Sequence, residues 1–345
     1  MATHRYSIDL HCHTFTPAVE QLVGADPRRQ AEQARMDRAQ GPASVAHNRG
    51  MLAGIAPKLM DVGLRLADMD AAGIDVQVVS PAPTQYCYWA EPALAEQLVD
   101  LQNERVAALV RQAPERLAGL GTVALQHPQM ALRQLEHAVN GLGLRGVQLC
   151  TSIEGGSLAD PALEPFWQRA AELECVLLLH PMGCDFGERL ARHYLWNVIG
   201  QPLETTVALS ELILSGLLDR LPGLRLCSCH GGGYLSHCAG RIDHAWRVRP
   251  EARCTPQPPS HYLRRIWHDC LVHSPQQLRH LIDCVGADRV VLGSDYPFDM
   301  GDERLHALID AVPGLGAAER DALCHGNAQG LLSRGGRPFV PGLNP

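Results

Sequence analysis

The sequence predicts an α/β fold, a (β/α)8 TIM barrel with insertions after strands one and five. Three observations lead there. Short apolar or β-branched runs alternate eight times with stretches of helical period, and a doubly wound open sheet is the main rival. Histidine, and once aspartate, recurs where several of those apolar runs end. Two gaps, residues 14–74 and 181–223, are too long for a simple crossover. In a barrel they emerge from βα loops at the C-terminal face, where active sites are built.

The candidate strands follow in order. SIDLH (7–11), DVQVVS (75–80), LAGLGTVA (117–124) and RGVQLC (145–150) form the first half. CVLLLH (175–180), LRLCSCH (224–230), RIWHDC (265–270) and RVVLGSD (289–295) form the second. Between them, residues 92–112, 128–142, 161–173, 204–221 and 274–286 carry apolar side chains at helical spacing. Several of these begin at proline or serine and end near glycine, as helix start and stop signals do. No internal repeat or low-complexity linker divides the chain. Residues 1–335 therefore read as one barrel domain, and the Pro/Gly-rich residues 336–345 as a C-terminal extension.

Composition narrows the function classes. The chain has 345 residues, 46% of them apolar, enough for a large core. A net charge of −7 leaves no excess of cations to displace phosphate counterions, which argues against nucleic-acid binding. The opening MATHRYSIDLHCH carries charge and histidine at once, unlike a signal peptide. No run approaches the roughly 18 apolar residues that span a bilayer. Twelve cysteines are scattered without CxxC spacing, and several lie inside apolar runs. These features predict a cytoplasmic protein with reduced thiols.

The chemistry gathers at strand ends. His11 and His13 close the first strand with one residue between them, and strand period 2 sends both imidazoles to one face. His180 ends the fifth strand, His230 the sixth, and Asp295 the eighth. Each follows an apolar run that should be barrel wall, so all five should converge on one axis. Three neutral imidazoles and a carboxylate suit a divalent transition metal, usually zinc, with manganese also served by such a set. Such a metal lowers the pKa of bound water to roughly 7. Five groups exceed four ligands with an open position, so one histidine is free to shuttle a proton. His237, His244, His268, His273 and Asp269 carry weaker positional signals, and each is as readily a surface or structural residue.

Lysine scarcity bears on the metal count. Lys58 is the sole lysine beside 29 arginines, and it precedes the second strand. Many barrel hydrolases with HxH on strand one bridge two metals with a carbamylated lysine at the end of strand four. Here strand four ends GVQLCTS, so that bridge is unavailable. Cys150 or Glu154 could bridge in principle, but one metal is the simpler expectation.

At these residues the chain resembles the amidohydrolase superfamily, in the decarboxylase branch of the 2-amino-3-carboxymuconate-6-semialdehyde decarboxylases. The matching stretches include IDLHCHTFTP, DMDAAGIDVQVVS, LLLHPMG, CHGGGYLSHCAGRIDHAW and GSDYPF, and with others they cover the chain except residues 14–60 and the tail. The resemblance implies that His11, His13, His180 and Asp295 hold the metal and that His230 is the general acid/base. It implies an arginine on a substrate carboxylate, falling on Arg65. It implies a homodimer in which Arg241 reaches the neighbouring active site. The family's tryptophan after the strand-five HP is Met182 here, which bears on the substrate and not on the metal.

The function so implied is metal-dependent, non-oxidative decarboxylation of an unsaturated or aromatic carboxylic acid in aromatic-compound catabolism. Candidate acids are aminocarboxymuconate semialdehyde-like compounds and ortho-hydroxy or ortho-amino aryl carboxylates. The alternative is a metal-hydroxide hydrolase or hydratase of a related acid, and a non-catalytic metal-binding protein is a third reading. Tyr86, Tyr88, Trp89, Tyr194, Trp196 and Phe298 stand out as possible pocket walls in a chain with 5% aromatics. Trp89 and Tyr194 join Arg65 and Arg241 as the expected substrate-binding residues.

Overall fold

A computed structural model describes residues 5–184 and 187–343. All eight expected strands are present: β1 (Ile8–Thr14), β2 (Val76–Pro81), β3 (Leu117–Gly119), β4 (Gly146–Cys150), β5 (Val176–His180), β6 (Arg225–Ser228), β7 (Trp267–Asp269) and β8 (Val290–Val291). Every neighbouring pair is parallel, in the order β1-β2-β3 and β4-β5-β6-β7-β8. Two seams join these sheets. Gly121 bridges to Val147 at one, with Gln148 N donating to Gly121 O at 2.8 Å. At the other, Cys12 bridges to Tyr296, and Asp295 N donates to His11 O at 2.8 Å. The circuit is a closed eight-stranded barrel.

The strands are buried on both faces, which is why they read as unbroken apolar runs and not as alternation. Ile8, Leu10, Val76, Val78, Val176, Leu178, Cys227 and Val291 pack together inside. Phe339, from the C-terminal segment, is buried in that same cluster with Leu331 and Leu332, and Arg145 stacks over its ring. Residues 344 and 345 of that segment lie outside the described residues.

The first insertion forms four helices: α1 (Pro17–Val23), α2 (Pro27–Gln40), α3 (Pro42–Met60) and α4 (Val62–Ala72). Crossover helices α5 (Pro92–Gln112), α6 (Pro128–Glu136) and α7 (Glu164–Glu172) follow on the outside of the barrel. The second insertion leads through a π-helical turn, Trp196–Gly200, into α8 (Gln201–Leu214), and α9 (Leu217–Arg220) precedes β6. Next come α10 (Leu235–Val248), α11 (Pro259–Leu263) and α12 (Pro275–Val285), and the chain closes with α13 (Leu305–Asp310), α14 (Ala317–Asp321) and α15 (Asn327–Leu332). Among the described residues no helix is long and apolar enough to cross a membrane.

The insertion is fastened to the barrel rim beside β8. Lys58 Nζ lies 2.8 Å from Asp68 Oδ2, and Tyr296 donates to that oxygen at 2.8 Å. His47 Nε2 meets Asp299 Oδ2, also at 2.8 Å. The chain's one lysine thus ties α3 to α4, and Tyr296 joins that pair to the rim through Asp68.

Candidate metal centre and active site

Local backbone devices bring the polar side chains together. Ile8 and Leu10 face the barrel interior, yet His11 and His13 also converge on its axis. The strand register shifts between Asp9 and Cys12, which allows the two sets to share that axis. Gly293 permits close approach at the seam, since a Cβ there would sit 2.9 Å from His11 Cβ and 2.8 Å from Asp269 Cβ. His230 and Asp295 both hold left-handed backbone, with φ of 56° and 59°, a conformation that non-glycine residues keep at functional sites. Gly233 has φ of 66°, and any Cβ would lie 2.1 Å from Pro202 O. The HGGG turn therefore needs glycine to fold against α8.

All five predicted groups meet. Asp295 Oδ1 lies 3.0 Å from His13 Nε2, 3.3 Å from His11 Nε2 and 3.8 Å from His180 Nε2. The Nε2 atoms of His11 and His13 are 3.1 Å apart. Neighbouring ligands of a tetrahedral shell with bonds of about 2.0–2.1 Å lie about 3.4 Å apart, so this spacing fits a small cation. His230 takes the other carboxylate oxygen, with Nε2 3.4 Å from Asp295 Oδ2. By mutual distance alone His11, His180, His230 and Asp295 offer donor atoms within 4.8 Å of one another, a set that admits His230 in place of His13. The two oxygens of Asp295 separate these groupings: three imidazoles share Oδ1, and His230 stands on Oδ2.

The donor set has the chemistry of a metal site. His180 Nε2 and Asp295 Oδ1 are buried without a hydrogen-bond partner, although an unpaired buried polar atom costs about 1–3 kcal/mol. A cation between them would satisfy both. The outer nitrogens of the three imidazoles are already engaged. His11 Nδ1 lies 2.8 Å from Asp269 Oδ2, His180 Nδ1 is 2.8 Å from Pro181 O, and His13 Nδ1 is 3.3 Å from Ser80 Oγ. Such outer contacts leave each Nε2 lone pair aimed at the centre. Burial pushes the His180 imidazole down to about 3 and also lowers His13, favouring the neutral ligand forms. Burial alone would raise Asp295, but the surrounding imidazoles hold its carboxyl well below the usual carboxylate range.

A cavity of 760 Å³ opens over this floor, lined by His180, His230 and Asp295. Tyr194, Trp196 and Phe298 line it too, in keeping with their place among the expected pocket walls. Burial, with help from Asp299 and Asp295, pushes the Tyr194 phenol up to about 12. Tyr86 and Tyr88 line an adjoining space of 600 Å³, with Trp196 on the boundary of both.

Two expected substrate contacts lie apart from the cavity. Arg65 is 1% exposed and does not line the cavity. Its guanidinium donates to Gln77 Oε1 at 2.8 Å and to the His13 carbonyl at 2.5 Å, and it stacks on Tyr296. Trp89 also lies away from the cavity, where Nε1 donates to Glu32 at 2.9 Å and Arg28 covers its ring. Arg65 thus joins α4 to the barrel, and Trp89 packs against α2. Arg241 is exposed on α10.

The site also contains residues that sequence reading undervalues. Asp269 contacts His11 while accepting from Gly231 N and Leu271 N, so it is both a loop anchor and a histidine partner. His237 and His273 line the cavity. His268 is structural as expected, with Ser228 Oγ at 2.7 Å from Nδ1, and burial pushes its imidazole down to about 4.

The Amidohydrolase family profile matches residues 8–334, nearly the whole described chain. The chain belongs to the amidohydrolase family, in its decarboxylase branch. It is 32% identical over 274 residues to 2-amino-3-carboxymuconate-6-semialdehyde decarboxylase of Dictyostelium discoideum, covering 79% of this chain and 76% of that one. It is 27% identical over 298 residues to gamma-resorcylate decarboxylase of Polaromonas sp. strain JS666, covering 80% and 88%. Among solved structures, 5-carboxyvanillate decarboxylase of Sphingomonas paucimobilis superposes with a TM-score of 0.81 at 26% identity, covering 95% of this chain and 99% of that one. Within this amidohydrolase frame, the five convergent groups occupy the C-terminal mouth of the barrel.

Proposed function

We infer that this amidohydrolase is a metal-dependent decarboxylase of an aromatic or unsaturated carboxylic acid. One observation carries the reading: Asp295 presents Oδ1 to three imidazoles and Oδ2 to a fourth, at the floor of a cavity. The decarboxylase relatives support the same class of reaction.

His11, His13, His180 and Asp295 would hold one divalent cation, zinc in the first place, with manganese served by the same nitrogen and oxygen donors. A cation held there supplies Lewis acidity toward a substrate oxygen. His230 faces the cavity and carries the proton chemistry. The proton on His230 Nε2 passes to the ring or alkene carbon that bears the carboxylate. The carbon–carboxyl bond then breaks, its electron pair returns to the conjugated system, and carbon dioxide leaves. Asp295 Oδ2, 3.4 Å from His230 Nε2, keeps that imidazole oriented. Tyr194 and Phe298 line the same cavity and would shield the reacting carbon from water.

Arg241 supports an assembly reading. It is exposed on α10, and in a homodimer it would enter the active site of the second copy and bind a carboxylate there as a planar fork. The twelve unbridged cysteines agree with a cytoplasmic location.

Product analysis tests the chemistry. Acids labelled with carbon-13 at the carboxyl should release labelled carbon dioxide, one per substrate consumed. A product that keeps every carbon and gains the elements of water would instead establish hydration or hydrolysis.

A further inference from the structure

The cavity carries information about what enters it, beyond the reaction class. Its 760 Å³ lies in the upper part of the range of about 300–1,000 Å³ typical of ligand sites. At about 30 Å³ per water it equals some two dozen water molecules, of which a single-ring acid displaces a minority. The floor is set by His180, His230 and Asp295, while the roof comes from the first insertion. Met36 of α2 and Met51 and Leu52 of α3 line that roof, and Met182 and Met300 line the walls. Four of the chain's eight methionines are therefore in this one cavity.

Two polar pairs of the roof are bonded to each other, while Asn48 Oδ1 is left without a partner. Gln33 donates to Asp37 at 2.7 Å, and Asn48 donates to Gln40 at 2.9 Å. Among the described residues Arg49, itself exposed, is the only lysine or arginine that lines the cavity. Above the floor, a small polyanion would meet little positive charge from this chain's own side chains. An apolar group would meet flexible, polarisable thioethers that adapt to its shape.

We propose that the substrate is an aryl carboxylic acid bearing an apolar substituent, alkyl or aryl, which extends from the ring into the methionine-lined roof. This rests on the decarboxylase reading, which places the carboxylate end at the floor. The insertion then selects for the substituent, while the barrel performs the chemistry.

The test uses zinc-loaded enzyme and a series of 4-alkyl-2-hydroxybenzoates with hydrogen, methyl, propyl and pentyl substituents. Carbon dioxide release gives kcat/KM, and calorimetric binding of the matching 3-alkylphenols gives Kd without turnover. Each buried methylene should improve both by about fourfold, so propyl should exceed methyl by more than tenfold. Leu52→Asp and Met36→Asp should flatten the dependence on chain length. Flat or falling values across the wild-type series would overturn the proposal, as would an undiminished slope in both variants. If the phenols show the slope but no acid is decarboxylated, the decarboxylase reading fails and the apolar pocket stands. Decarboxylation without a slope would uphold the reaction and overturn the apolar pocket.

Discussion

His11 Nδ1 and Asp269 Oδ2 lie 2.8 Å apart, with both side chains shut away from solvent. The pair fixes the ring so that Nε2 points at Asp295 Oδ1, 3.3 Å away. Asp269 thus acts on the centre through His11. Asp269→Asn should weaken zinc binding by about 10–100-fold, as loss of such an outer partner does. Competition with a chromophoric chelator measures this, and an unchanged affinity would separate Asp269 from the metal site.

Metal affinity should also depend on pH with a defined sign. Burial opposes charge on His11, but the Cys229 sulfur together with the carboxylates of Asp295 and Asp269 outweighs it and raises the imidazole well above its ordinary value. The metal-free protein therefore holds a proton at His11 below that raised value, and a cation must displace it. Affinity should rise with pH, by up to about tenfold per unit for one released proton, and level off above the raised value. Titrations in buffers of different ionisation enthalpy count the protons directly. Affinity independent of pH would contradict the protonated His11.

His13 and His230 should respond differently to substitution, because they meet different oxygens of Asp295. His230→Asn should keep its metal and lose about 10²–10⁴-fold in kcat, the usual contribution of a general acid or base. His13→Asn should lose the metal. The opposite pattern, measured by elemental analysis beside turnover, would exchange their roles.

Arg65 offers a contrast between bracing and substrate binding. Arg65→Met leaves the His13 carbonyl and Gln77 Oε1 without their donor, each at about 1–3 kcal/mol. The urea midpoint should fall, with metal affinity falling beside it. Arg65→Lys should recover only part of the loss, since a point charge cannot serve both acceptors as a fork does. A raised KM with unchanged stability would return Arg65 to the substrate.

Much of the barrel is legible in the sequence because its strands are buried on both faces and end in polar residues. His11, His13, His180, His230 and Asp295 can be placed from strand ends alone, since parallel strands in a closed circuit bring those ends to one mouth. The roof is not legible. Residues 17–72 carry no regular apolar stripe, because α2 and α3 lie over the barrel mouth with much of their surface exposed. The burial of Arg65 is not legible in the sequence, because it depends on Tyr296, a residue distant in the chain that closes over the guanidinium. The surroundings of Trp89 are hidden likewise, its partners Arg28 and Glu32 lying in the insertion that sequence pattern does not resolve.

The central claim is that one cation held by His11, His13, His180 and Asp295 drives carbon dioxide release, with His230 moving the proton. Elemental analysis and labelled carbon dioxide release should be followed together as a chelator removes the metal and zinc or manganese restores it. The account predicts one metal per chain, with both quantities falling and recovering in proportion. Full carbon dioxide release from metal-free protein would contradict it.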